Sequence, residues 1–301
     1  MDAATRRRLW LGVRLAVAGS VLGFTLWRVP RAELVGALAS LSPLHLLLAT
    51  ALISSTLLFG AARWRLALVA FGAETLPPYA QQVRLYFIGM FFNTYVPGGV
   101  GGDVLRAELS RRATGSVVAA WASVLTERVL GLSALLVWAG GMVWWTETPF
   151  GAPALYIAAG LAALVGSAVL PTALRWRGAE GIKNPHPAPL LGTFLLGLLG
   201  HITLALAGYA IVSSVSPGSP LTASLVVVPL AQVAVFFPGT VGGLGVREVA
   251  FVELFGRVGV EVVDATATAF GFLAVNLVVA AIGGVVHVLT RSPDTLEETE
   301  A

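Results

Sequence analysis

Eight apolar runs follow one another along this chain, at residues 9–27, 43–62, 79–96, 116–138, 153–170, 190–212, 221–237 and 262–289. Spanning a bilayer takes about 20 apolar residues at ~1.5 Å of rise each, so the runs predict membrane helices rather than the core of a soluble domain. The polar stretches between them are short. A brief amphipathic piece, 31–41, leads into the second run, and the acidic tail 291–301 is expected to be disordered.

The third and seventh runs end on the same phrase. Pro97-Gly98-Gly99-Val100-Gly101-Gly102-Asp103-Val104-Leu105-Arg106 returns as Pro238-Gly239-Thr240-Val241-Gly242-Gly243-Leu244-Gly245-Val246-Arg247. Proline lacks a backbone donor and glycine weakens helices, so each copy predicts a break at membrane depth. Broken backbone is tolerated there only where protein or a wet cavity satisfies it. Paired interruptions in the two halves of a hydrophobic chain point to a transporter's binding site.

Basic residues orient the runs. Arg6-Arg7-Arg8 precede the first run, which is too long for a signal-peptide core and has no cleavage site after it. It reads as an uncleaved helix with a cytoplasmic N-terminus. Arg63-Trp64-Arg65 reads as an interfacial anchor, and Arg106, Arg111 and Arg112 as the next cytoplasmic stretch. The third run must then enter and leave by one side, as a re-entrant hairpin. Arg175-Trp176-Arg177 and Lys183 mark another cytoplasmic loop, whereas the loop at Glu147 and the loop 213–220 carry no basic residue and face outward. The second phrase thus approaches from outside, and the last run returns inward to Arg291.

The predicted fold is an all-α polytopic membrane protein with about six full spans plus two re-entrant helical hairpins, arranged as an inverted-topology repeat. It forms a single integral membrane domain over 1–301, with a first repeat at 9–145 and a second at 151–290. One feature opposes the inversion: Arg247 and Arg257 fall on the outer side unless Arg247 is buried at the site.

Composition agrees with the runs. Of 301 residues, 56% are hydrophobic and 12% charged, against about 25% charged in a soluble domain, and the mean hydropathy is +0.83. Cysteine is absent, which removes disulfides, thiolate ligands and a thiol nucleophile. His45, His186, His201 and His287 have no metal-ligand spacing, and no GxxxxGK[ST] loop occurs. No cofactor or metal is expected. Basic residues on cytoplasmic loops explain the high pI better than nucleic-acid binding.

Glu127 and Arg128 lie about 17 Å into the fourth run, and each costs about 2.5–3.5 kcal/mol at that depth unless paired or hydrated. They read either as a structural pair, with Glu127 holding Arg106, or as part of a phosphate-binding cavity in which Arg128 takes the anion. Adjacent helical residues do not face each other, so the two should have different partners. Arg106 and Arg247 follow the breaks, at the start of short helices whose free N–H groups and arginine forks suit phosphate. The alternative is that both snorkel as topology anchors. Gly101, Gly102, Gly242 and Gly243 let a headgroup approach the backbone, and Asp103 and Glu248 complete the charged set. Asn93 and Gln232 precede the breaks and either bind the ligand or satisfy freed backbone groups. Glu248 and Glu253 balance Arg247 and Arg257, and His201 is a helix–helix hydrogen-bond partner before it is a proton relay.

Asn93, Pro97, Gly101-Gly102-Asp103, Arg106 and Glu127-Arg128, followed by Pro238 and Gly242 through Glu248, resemble the flippase-like family typified by the transmembrane regions of lysylphosphatidylglycerol synthases. Arg63-Trp64 fits as well, and the resemblance runs from about Trp10 to Leu289. It implies a bacterial or archaeal inner-membrane protein that moves a lipid between leaflets. The longer synthases add a soluble aminoacyl-transferase domain after this region, so the chain is expected to be the translocation module alone and not an enzyme. It departs from the family where Phe272 and Leu273 occupy a stretch of the final span that often carries an arginine.

Three functions remain open. The first is a lipid translocator, with a phospholipid or lipid-linked anionic substrate, the membrane as its setting and no nucleic acid. The second is a membrane-embedded enzyme or accessory subunit of lipid-linked glycan or isoprenoid metabolism. The third is a small-solute secondary transporter. The absence of clustered carboxylates at one interface favours the first.

Overall fold

The computed structural model describes residues 5, 12, 16, 19–73, 75–95, 101–176, 186–233 and 243–290, and all regular structure among them is helical. Residues 19–27 form one helical stretch. The helices after it are α1 (Arg31–Ala39), α2 (Pro43–Ala70), α3 (Tyr79–Tyr95), α4 (Gly101–Thr114), α5 (Val117–Thr146), α6 (Pro153–Trp176), α7 (Pro187–Val215), α8 (Leu221–Gln232), α9 (Val246–Arg257) and α10 (Val262–Leu289). Four of them, α2, α5, α7 and α10, are long and apolar enough to cross a membrane, and α6 contributes a shorter apolar stretch, Pro153–Val169. Gly242, the prolines of both glycine phrases, Lys183 and the acidic tail lie outside the described residues.

Local chemistry sets the ends. Pro43 and Pro187 stand in the first turn of α2 and α7, where a missing N–H costs nothing and the fixed φ suits a helix. Ser116 caps α5 by accepting from the Ala119 amide. Glu147 ends α5 in the left-handed region at φ 51°.

The long α2 is followed by the shorter α3 and α4 and then the long α5, as the long α7 is followed by the shorter α8 and α9 and then the long α10. Their packing matches too. α2 lies along α7; α3 packs on α10 as α8 does on α5; α4 packs on α5 as α9 does on α10; and α5 meets α7 as α10 meets α2. The largest buried cluster, which includes Ile53, Ile211, Val227, Phe251 and Phe272, joins α2 and all the helices of the second half from α7 onward. A smaller one seats α4 and α3 on α2 through Trp64, Leu68, Leu85, Leu105 and Leu109.

α3 and α4 run antiparallel. Gly102, second in α4, packs on Gly89, and Arg106, one turn later, reaches back to Tyr86. A Cβ built on Gly102 stands 2.6 Å from the Gly89 Cα, so only glycine permits this backbone contact.

Three expectations change. The apolar pattern ends the second run at residue 62, yet α2 continues to Ala70 because Leu66-Ala67-Leu68-Val69-Ala70 remain apolar and the intervening arginines find partners. Arg63-Trp64 is therefore not an interfacial anchor. Trp64 is fully buried and donates to Ser110 Oγ at 3.1 Å, while Arg63 turns inward to α5. Glu253 pairs with Arg28 rather than Arg257.

Candidate functional site

Five ionised side chains from three helices form one connected network. Glu127, the eleventh residue of α5, receives Arg63 from α2 on Oε1 at 2.6 Å and Arg106 from α4 on Oε2 at 3.0 Å. Arg63 also donates to the Glu127 carbonyl at 2.8 Å. Both carboxylate oxygens are thus engaged, as a buried charge requires. Arg106 further donates to the Tyr86 hydroxyl and to Asp103 Oδ1, and its guanidinium lies 4.5 Å from the Tyr86 ring centroid. Arg128 reaches the same Asp103 oxygen at 2.7 Å. Glu127 and Arg128 therefore have different ionic partners, Arg63 and Arg106 for the first and Asp103 for the second.

Burial is graded across the network. Side-chain exposure rises from 4% at Glu127 and 5% at Arg106 to 16% at Arg63, 18% at Asp103 and 38% at Arg128. Arg128 is the open end. It borders the exposed apolar strip of α5 formed by Trp121, Leu125 and Val129, with Val104 of α4 exposed beside Asp103. Three guanidiniums face two carboxylates, so one positive charge is in excess. Among the described residues Arg128 has a single ionic partner, and its Nε is buried without a hydrogen bond.

Asn93 serves the broken backbone: its Oδ1 accepts from the Gly102 amide at 2.9 Å, covering one of the free N–H groups that open α4. Gly101 and Gly102 place that helix start against α3. Arg106 lies one turn further in.

The second phrase is built differently. Gly243 and Gly245 take φ of 81° and 84°, a region that favours glycine. Glu248 accepts from the Gly245 amide at 2.6 Å and, on its other oxygen, from Arg247 Nε and Nη2 at 3.0 and 2.7 Å. Arg247 also lies over the ring of Phe272, 5.6 Å from its centroid. Arg247 and Glu248 are both buried and close on each other. Gln232, by contrast, holds a buried Oε1 with no hydrogen-bond partner among the described residues. The structure thus gathers Asn93, Gly101, Gly102, Asp103, Arg106, Glu127 and Arg128 at one place, and Gly243, Arg247 and Glu248 at another.

Sequence reasoning missed Arg63 and Tyr86 as members of the network. The signal for Arg63 was present: apolar residues continue past it, which places it inside a helix rather than at its end. Tyr86 carried no comparable signal. His201 bridges α7 to α5 with Nε2 3.0 Å from the Gly131 carbonyl. A groove of about 460 Å³ between α3 and α10, lined by Phe91, Tyr95, Ala281, Val285 and Leu289, includes none of the ionic residues. Among the described residues no His, Asp and Glu group could hold a metal ion.

No curated protein matches the chain. The family model described as the lysylphosphatidylglycerol synthase transmembrane region matches residues 11–284. With that match covering nearly its whole length, this multi-pass helical membrane protein belongs to the lysylphosphatidylglycerol synthase transmembrane-region family.

Proposed function

We propose that this protein is a flippase-like lipid translocator that carries a phospholipid or modified lipid between leaflets of the inner membrane. The observation that carries the reading is Arg128. A guanidinium with one carboxylate partner emerges near mid-helix at the edge of an exposed apolar strip, and it is the positive charge left over when Arg63 and Arg106 balance Glu127 and Asp103. An arginine fork matches phosphate oxygens, and the apolar flank suits a ligand whose chains stay in the bilayer.

The matched packing of the two halves supports an inverted-topology repeat with α3–α4 and α8–α9 as its re-entrant hairpins. In this reading both termini are cytoplasmic, the phosphate enters laterally at Arg128, and rocking of the α3–α4 hairpin against α5 alternates access. The buried Arg247–Glu248 pair meets the objection to the inversion, since an arginine neutralised inside the fold does not count as an exposed loop charge. The protein transports without catalysing. The two acids of the network are held by guanidiniums, which leaves them poorly suited to general acid–base work.

Reconstitution into liposomes with headgroup-labelled fluorescent phospholipids tests this. Wild type should carry inner-leaflet label to a membrane-impermeant quencher well above the protein-free rate, and Arg128→Ala should fall back to that rate. Equal background rates for both proteins would end the proposal.

A further inference from the structure

We infer that Asp103 is a built-in stand-in for the ligand's anion: it occupies Arg128 in the empty carrier, and the incoming phosphate replaces it. This rests on the reading of Arg128 as the phosphate-binding group. Arg106 and Arg128, from neighbouring helices, converge on one oxygen, Asp103 Oδ1, while Oδ2 takes no hydrogen bond among the described residues. One anionic oxygen shared by two guanidiniums is also an arrangement that a phosphate oxygen can adopt.

The two arginines differ in what they lose when Asp103 leaves. Arg106 keeps Glu127 at 3.0 Å and the Tyr86 hydroxyl. Arg128 keeps no ionic partner among the described residues. Departure of Asp103 therefore frees Arg128 and leaves the deeper pairs closed. Asp103 is also placed to move, being partly exposed in the first turn of α4, whereas Glu127 is buried with both oxygens bonded. The second phrase carries Leu244 at the matching position, and its arginine is closed by Glu248 instead. The exchangeable carboxylate belongs to the first phrase alone.

The alternative role for Asp103 is to position Arg128 for the phosphate, and it predicts the opposite sign. Removing a positioning group weakens binding; removing a competing anion strengthens it. The full chain in detergent, titrated with brominated phosphatidylglycerol and read by tryptophan quenching, separates the two. Brominated diacylglycerol is the phosphate-free reference. Asp103→Asn should bind phosphatidylglycerol about tenfold tighter than wild type, the scale of one charge-assisted hydrogen bond no longer competed for, with diacylglycerol binding unchanged. Asp103→Leu, which installs the residue of the second phrase, should move the same way and serves if Asp103→Asn folds poorly. Asp103→Glu should return to wild-type affinity, and Arg128→Gln should lose the preference for the phosphate lipid. Unchanged or weaker binding in both charge-removing variants, with Arg128→Gln still losing its preference, overturns the stand-in role and leaves the phosphate site standing. Equal binding of the two lipids by wild type itself removes the reading of Arg128 on which the inference rests.

Discussion

Arg63 and Glu127 meet at 2.6 Å although they come from different helices and neither lies at a helix end. The guanidinium also donates to the Glu127 carbonyl, so one residue of α2 fixes both the side chain and the backbone of α5 at the depth of the site. Arg63 therefore holds the buried side of the network, while Arg128, one residue after Glu127, is its most exposed member and is paired with Asp103.

Breaking that pair should be costly. Removing one partner of a buried ion pair costs about 3–5 kcal/mol because the other charge is left without compensation. Glu127→Ala leaves Arg63 without an ionic partner among the described residues and takes one of two carboxylates from Arg106, which keeps Asp103, and should give the largest loss of stability among single changes in the network. Arg63→Met should cost less, since Glu127 keeps Arg106. Thermal unfolding of the detergent-solubilised variants orders the two; the reverse order would contradict the assigned connectivity.

Much of this site was legible in the sequence, for a physical reason. Charges inside apolar runs are expensive, so Glu127 and Arg128 marked the depth of the site, and the glycine phrase marked the broken backbone facing them. Arg63 was misread because an arginine beside a tryptophan also describes a membrane anchor, and only tertiary packing decides whether that side chain turns inward. The arginine of the second phrase matches Arg106 in position, and its expected balance by Glu248 is what the structure shows, with both residues buried. The helix order was readable from hydropathy; the helix ends were less so, because paired arginines do not stop a helix.

The closed pair of the second phrase gives a contrasting prediction. Arg247→Met alone leaves the Glu248 carboxylate buried with only the Gly245 amide, and should destabilise by about 3–5 kcal/mol. Arg247→Met combined with Glu248→Gln removes both charges and keeps an acceptor for Gly245. The double variant should recover most of the stability and retain lipid transport, whereas Arg128→Ala loses transport. A double variant that folds like wild type but does not transport would assign Arg247 a direct part in binding.

The Gly89–Gly102 contact is asymmetric, and the asymmetry can be tested. A Cβ on Gly102 meets the Gly89 backbone at 2.6 Å, whereas a Cβ on Gly89 meets the Gly102 Cα at an ordinary 3.4 Å. Gly102→Ala must separate α3 from α4, with an overpacking cost of about 1–3 kcal/mol, and it shifts the turn that carries Asp103 and Arg106. Gly89→Ala should cost clearly less. Thermal midpoints compare the stabilities, and the labelled-lipid assay should register a larger transport defect in Gly102→Ala.

Trp138 ties α5 to α8 through a bond that proline makes available. Its indole donates to the Leu225 carbonyl at 3.0 Å, and Pro229 lies four residues on, inside α8. In an unbroken helix residue 229 would supply the N–H for that carbonyl; proline has none. Trp138→Phe keeps the ring but leaves a carbonyl in the helix core without its donor, at about 1–3 kcal/mol. Pro229→Ala restores the backbone donor, so Trp138→Phe should cost far less in that background. The two changes form a double-mutant cycle read by thermal unfolding, and the cycle should give a clear coupling energy. If Trp138→Phe costs the same in both backgrounds, the indole stabilises through packing alone and the proline plays no part in joining the helix of Glu127 and Arg128 to the second half of the fold.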